Sequence, residues 1–138
     1  MRALRVDKLT YAALEATLED YATGRAAESV PVIRMIAASV EDIDRRASAL
    51  AGRFSARGLT AEVIEGESTI GGGSAPGSTL PTRLVRLTHP TLTASALETR
   101  LRQHDPPVIA RIQDDRVVLD LRTVEPEDDE SLALSLTT

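Results

Sequence analysis

Apolar residues at the start of the chain recur with a helical period. After Asp7, a residue suited to an N-cap, Leu9, Ala12, Ala13, Ala16 and Tyr21 share one face, which Leu14 and Leu18 widen. Gly24 suits the left-handed residue that closes such a helix. Between Glu28 and Ala38, Pro31 favours a helical start, so Pro31 to Ile36 reads as a brief helical turn, with a strand as the alternative. Ser39 reads as the N-cap of a longer helix, with Asp42 placed to return the bond. Val40, Ile43, Ala47, Leu50 and Phe54 form its apolar face, and Gly58 ends it.

Beyond Gly58 the period changes to two. Leu59, Ala61 and Val63 alternate with Thr60 and Glu62, predicting a strand to Glu65, and Thr82 to Leu87 predicts a second with Leu84 and Val85 buried. Thr93 caps a helix that runs to about His104, flanked by Leu92 and Leu97 as a hydrophobic staple and stopped by Pro106-Pro107. Val108 to Ile112 and Arg116 to Leu121 predict a hairpin around Gln113-Asp114-Asp115. Residues 125–138 predict an acidic stretch leading to a short apolar helix or tail. The order helix, helix, strand, strand, helix, strand, strand predicts an α+β two-layer domain, with helices on a small, mostly antiparallel sheet, as a single domain over residues 1–138.

Composition narrows the chemistry. The 138 residues carry no cysteine, which removes disulfides, thiolate catalysis and Cys-based zinc sites. Aromatics are only 2%, too few for base-stacking platforms, and a net charge of −5 disfavours a broad nucleic-acid footprint. No apolar run is long enough for a membrane span and no secretion signal is evident, so a soluble intracellular domain is expected. His89 and His104 lack a second ligand at a zinc spacing, and no metal site is expected. Ser39, Ser68 and Ser74 have no histidine partner implied by spacing, so a serine triad is not indicated.

Three features remain as candidates. Residues 66–81 hold five of the eight glycines, predicting a long loop. Gly71, Gly72 and Gly73, followed by Ser74, remove the β-carbons that keep a backbone from a ligand and suit an anion nest; a plain surface loop is the alternative. Arg2 and Arg5 offer planar cationic forks for phosphate-like oxyanions, or are two solvated surface residues. Lys8 has the amine needed for an imine with pyridoxal phosphate, but reads more simply as a solvated first-turn residue.

Several segments together resemble a known family. Arg2-Ala-Leu-Arg5-Val-Asp-Lys8-Leu-Thr10 with Ala12 to Thr17, Pro31 to Ile36, Gly71 to Gly77 with Leu80-Pro81, Asp105 to Arg111, and Val118 to Val124 resemble bacterial selenocysteine synthases, the L-seryl-tRNA(Sec) selenium transferases. The resemblance runs in order over almost the whole chain. It implies the C-terminal small domain of a fold-type I pyridoxal-phosphate enzyme, with residues 1–24 linking to a cofactor domain that lies before residue 1. The Schiff-base lysine would lie there too, since Lys8 matches a different lysine of the motif. Met1 would then not be the natural start, and the chain alone would be inactive.

The implied reaction takes seryl-tRNA(Sec) and selenophosphate to selenocysteinyl-tRNA(Sec) in the cytoplasm. Arg2 and Arg5 match family arginines that line the pocket for the anionic donor, and the loop at Gly71 to Ser74 would border the same cleft. The family also implies ring-like homo-oligomers, with tRNA read elsewhere in the protein. Two other readings stay open: a related pyridoxal-phosphate lyase or transferase acting on a small amino acid or amino sugar, and a stand-alone α+β anion-binding module.

Overall fold

A computed structural model describes residues 6–71 and 77–136. The chain forms two compact units, Met1–Ala37 and Ala38–Thr138. The described part of the first unit is three helices: α1 (Lys8–Ala22), α2 (Ala26–Ser29) and α3 (Pro31–Ala37). Asp7 caps α1 as expected, its carboxylate accepting from the Thr10 N–H at 2.8 Å, and that bond holds its pKa below the usual carboxylate value. Gly24 follows the helix at φ +77°, a conformation open to glycine without strain. No residue of α1 is buried. Within this unit α2 and α3 have only four and seven residues, too short to cover a helix of fifteen.

The second unit holds the core. Helix α4 (Val40–Ser55) starts at Ser39, whose hydroxyl accepts from the Asp42 N–H (3.1 Å) and donates to the Asp42 carboxylate (2.8 Å). Asp42 therefore returns its bond to the hydroxyl rather than to the backbone. Ile43, Ala47, Leu50 and Phe54 form its buried stripe, while Val40 is only half-buried. Strands β1 (Thr60–Thr69), β2 (Thr79–Thr88), β3 (Arg111–Gln113) and β4 (Arg116–Asp120) form an antiparallel sheet in the order β1-β2-β4-β3. Val63 lies opposite Val85, and Val85 opposite Leu119; Ala61, Leu87 and Val117 line up the same way. This face meets α4 and helix α5 (Ala94–Arg102), which contributes Leu97 and Leu101. Helices on one face of an antiparallel sheet make the expected α+β two-layer body.

The strand boundaries differ from expectation for identifiable reasons. The predicted loop at 66–81 is shorter, because Gly66 pairs with Thr82 and Thr69 with Thr79, so only residues 70–78 connect the strands. Pro81 is tolerated in β2 because β4 pairs with that strand only over Leu84 to Leu87, leaving the Pro81 end without a ladder partner on that side. Strand β3 starts at Arg111 rather than Val108 because the Val108 N–H donates to the Leu101 carbonyl of α5 (2.9 Å) instead of to a strand. Strand β4 stops at Asp120, whose carboxylate accepts from the Arg122 N–H (3.1 Å) and starts a 3-10 turn over Leu121–Thr123. Asp114 and Asp115 at φ +50° and +56° make the expected tight hairpin turn.

The C-terminal acidic stretch is not simply solvated. It forms a 3-10 turn (Pro126–Asp128) and helix α6 (Asp129–Leu134), with Leu132, Ala133 and Leu136 in the core. The Arg46 guanidinium of α4 donates to both oxygens of the Asp129 carboxylate (2.7 and 2.8 Å) and to the carbonyls of Leu121 (3.1 Å) and Val124 (2.9 Å).

On the opposite face of the sheet, Glu62 accepts from Arg86 (2.7 Å) and Arg116 (2.9 Å), linking three strands. The Arg86 hydrogen bond, with the charges of Arg86 and Arg116, holds the Glu62 pKa below its ordinary value of 4.5. A carboxylate lowered in the folded state stabilises it fully above pH 4.5 and loses that contribution as pH falls through the lowered value. Glu62→Gln should therefore flatten the fall in thermal midpoint below about pH 4.5. Parallel pH profiles for the two proteins would contradict the assignment.

Candidate functional site

The far end of the β1–β2 hairpin folds over the second face of the sheet. In a flat sheet Ser68 and Asp120 would stand far apart, because β2 lies between their strands and their partners on β2, Leu80 and Leu84, are four residues apart. At about 3.3 Å per residue and 4.8 Å per strand spacing, that is on the order of 16 Å. The Ser68 hydroxyl nonetheless donates to the Asp120 carboxylate at 2.6 Å. Gly66 permits the approach: a β-carbon there would lie 2.2 Å from Leu84 Cδ1 and 2.7 Å from Leu84 Cγ. Leu84 fills the space where that side chain would be, and is itself buried.

A buried polar cluster closes the fold-over. The second Asp120 oxygen accepts from the Thr82 hydroxyl (3.1 Å). Arg122, 6% exposed, donates from Nε to Ser68 Oγ (3.2 Å), from one terminal nitrogen to the Ala38 carbonyl (2.8 Å) and from the other to the Pro81 carbonyl (2.6 Å). Both strands of the hairpin and the residue before α4's cap thus converge on one guanidinium. Among the described residues, no buried side-chain nitrogen or oxygen lacks a partner. Beside the cluster, past the short strand β3, lies a cavity of about 620 Å³ bounded by Thr69, Ile109, Asp120, Glu125 and Ser131.

Of the residues singled out from sequence, Arg2, Arg5, Gly72, Gly73 and Ser74 lie outside the described residues. Gly71 is exposed, and a β-carbon there would meet no atom within 4 Å. Packing among the described residues gives no reason for glycine at 71, in contrast to Gly66. Lys8 is the exposed first residue of α1. His89 accepts the Thr91 and Leu92 N–H groups through Nδ1, each at 3.1 Å, and His104 bonds the Pro106 carbonyl at 2.9 Å, so both serve turns. Ser68 is bound by a carboxylate and a guanidinium, with no histidine beside it. Among the described residues no cluster of histidine and acidic side chains has the makings of a metal site, and no helix is long and apolar enough to cross a membrane.

Sequence reasoning missed Asp120, Arg122, Thr82 and Ser68 as a set. Their one visible signal is Asp120 and Arg122 alternating with apolar residues at the end of a strand, where charged side chains reach a sheet face and need partners there.

The described residues thus define the class: an α+β two-layer body with a fully hydrogen-bonded polar interior. The chain belongs to the L-seryl-tRNA(Sec) selenium transferase family, since residues 1–125 match the family model described as SelA: L-seryl-tRNA selenium transferase. An L-seryl-tRNA(Sec) selenium transferase of Nitratidesulfovibrio vulgaris is 47% identical over 128 residues, covering 90% of this chain and 27% of that protein. Proteins of the same name are 42% identical over 130 residues in Alkaliphilus metalliredigens and 39% identical over 130 residues in Clostridium botulinum. Both alignments cover 92% of this chain and 28% of the relative. The chain therefore spans little more than a quarter of the length of the curated relatives it matches.

Two substitutions test the cluster. Arg122→Ala leaves the Ser68 hydroxyl and the Ala38 and Pro81 carbonyls without their donor and should destabilise the second unit by about 1–3 kcal/mol in urea unfolding. Loss of less than about 1 kcal/mol would show that solvent replaces the guanidinium freely. Gly66→Ala should cost about 1–3 kcal/mol by forcing Leu84 aside, whereas Gly71→Ala should stay within about 0.5 kcal/mol. Equal effects at the two glycines would refute the close approach at Leu84.

Proposed function

We propose that this chain is the C-terminal portion of a pyridoxal-phosphate-dependent transferase that converts seryl-tRNA(Sec) to selenocysteinyl-tRNA(Sec) with selenophosphate, in the cytoplasm and as a homo-oligomer. The observation that carries the reading is the family match over residues 1–125, which includes Arg2 and Arg5. The identical name of relatives at 39–47% identity supports it.

Pyridoxal phosphate does not fit the described residues. An imine with the cofactor needs a lysine directed into an enclosed site, and the only lysine of the sequence, Lys8, stands exposed at the start of α1. The cofactor and its lysine then belong to the part of the protein outside these residues, and the chain by itself has no transferase activity. Residues 1–24 join the two parts.

The contribution of this chain is to bind and orient the donor. Selenophosphate is a compact oxyanion, and a guanidinium meets such a group with paired N–H donors and a permanent charge. Arg2 and Arg5 are the residues assigned to that task. Positioning an anionic donor beside the carbon it attacks lowers the barrier by removing the entropy of bringing the two together. The loop at Gly71 to Ser74 borders the same cleft; at Gly71 the chain's own packing leaves room for an approaching group.

The test uses the full-length protein with Arg2→Ala and Arg5→Ala made singly. Each should keep the cofactor's absorbance and lose turnover at limiting selenophosphate by at least about tenfold, equivalent to about 1.4 kcal/mol and within what one charge-assisted contact supplies. Unchanged turnover at limiting donor would take both arginines out of the site. Stoichiometric, specific binding of pyridoxal phosphate by the 138 residues alone would contradict the division of labour.

A further inference from the structure

The apolar surface of α1 is larger than anything in its own unit covers. Tyr11, Leu14, Leu18 and Tyr21 follow a three-four-three spacing, which places them in one stripe along the helix. Their exposures are 56%, 54%, 57% and 50%. On the far side of the helix Leu9 is 82% exposed, next to Ala12 and Ala16, so apolar residues occupy most of the circumference. A helix with apolar residues on two sides meets other structure on more than one surface. A fifteen-residue helix is also marginal in water without tertiary packing.

We propose that α1 is a docking helix, its Tyr11-Leu14-Leu18-Tyr21 stripe seated on the part of the full-length polypeptide that lies outside these 138 residues. Two observations select that occupant over a second copy of α1. First, relatives at 39–47% identity are more than three times as long as the aligned segment, so the family carries ample further chain for the stripe to meet. Second, the helix holds Glu15, Glu19 and Asp20 against the one cation Lys8, so two copies side by side repel each other. Seating the four side chains removes their remaining apolar surface from water and holds the helix in place. The inference rests on the proposed reading only in taking the chain to be one portion of a longer enzyme.

The experiment places the photo-reactive residue p-benzoylphenylalanine at position 14 or position 18 of the full-length protein and maps the crosslinks by peptide mass spectrometry. Crosslinks to peptides outside the 138 residues are expected. Crosslinks to α1 of a second copy, or to residues 38–138, would overturn the proposal, as would labelling by water alone. A second measurement avoids the bulky probe: in full-length Leu18→Cys, maleimide reaction mapped to position 18 should be at least about 100-fold slower than in the same protein unfolded in urea. Reaction at the unfolded rate would also overturn the proposal. Selenophosphate-dependent turnover of the unsubstituted protein is measured separately, so loss of the proposed reaction and exposure of the helix remain distinct results.

Discussion

The second unit depends on where its sheet puts charge. Asp120 and Arg122 lie at the end of β4, where the chain turns from strand to 3-10 helix. Removing a guanidinium from water costs several kcal/mol unless its N–H groups are met, so a structure with Arg122 only 6% exposed must bring acceptors to it. The acceptors come from distant parts of the chain: Ser68 from β1, the Pro81 carbonyl from β2, and the Ala38 carbonyl from the start of the unit. Satisfying one residue therefore determines how the hairpin lies across the sheet. A cluster with the wrong hairpin placement leaves several buried polar atoms unpaired at once, which makes the arrangement cooperative.

Arg46 applies the same principle from the helical side. It takes up the Leu121 and Val124 carbonyls and the Asp129 carboxylate, so the turn after β4 lies between two arginines. The exposed ion pairs act differently. Arg45 with Asp42 and Arg102 with Glu98 join neighbours on a single helix, where solvent screening leaves little net stabilisation. The long-range order of the unit thus rests on its apolar core and on two arginines.

The helices were legible because their signals are local. Asp7, Ser39 and Thr93 each accept an N–H of the first turn, and the α4 stripe follows from a single period of 3.6. The tight turn at Asp114-Asp115 was legible for the same reason. The hairpin end was misread because Gly66, Ser68 and Pro81 carry loop preferences, and what makes them strand residues is non-local: Leu84 beneath Gly66 and Asp120 beyond Ser68. The start of β3 was misplaced because Val108 has strand character but gives its N–H to α5. For the candidate site, neither spacing nor charge distinguishes an arginine that binds a ligand from one that holds a sheet together. Arg122 went unnoticed for that reason, while Arg2 and Arg5 drew attention through a resemblance.

Two kinds of glycine clarify what this domain brings to an enzyme. Gly66 is explained by a neighbour inside the chain, whereas a side chain at Gly71 would meet nothing there. The same contrast separates the helices: α4 has its partners within the unit, and α1 has none of its residues buried. Features with internal partners build the body of the second unit. A small domain of this construction suits a reaction whose reactive centre is held elsewhere, because its rigid interior fixes the shape of what it presents. On the proposed reading, a donor site at Arg2 and Arg5 separates holding an anion from activating a carbon, so each can be optimised without disturbing the other.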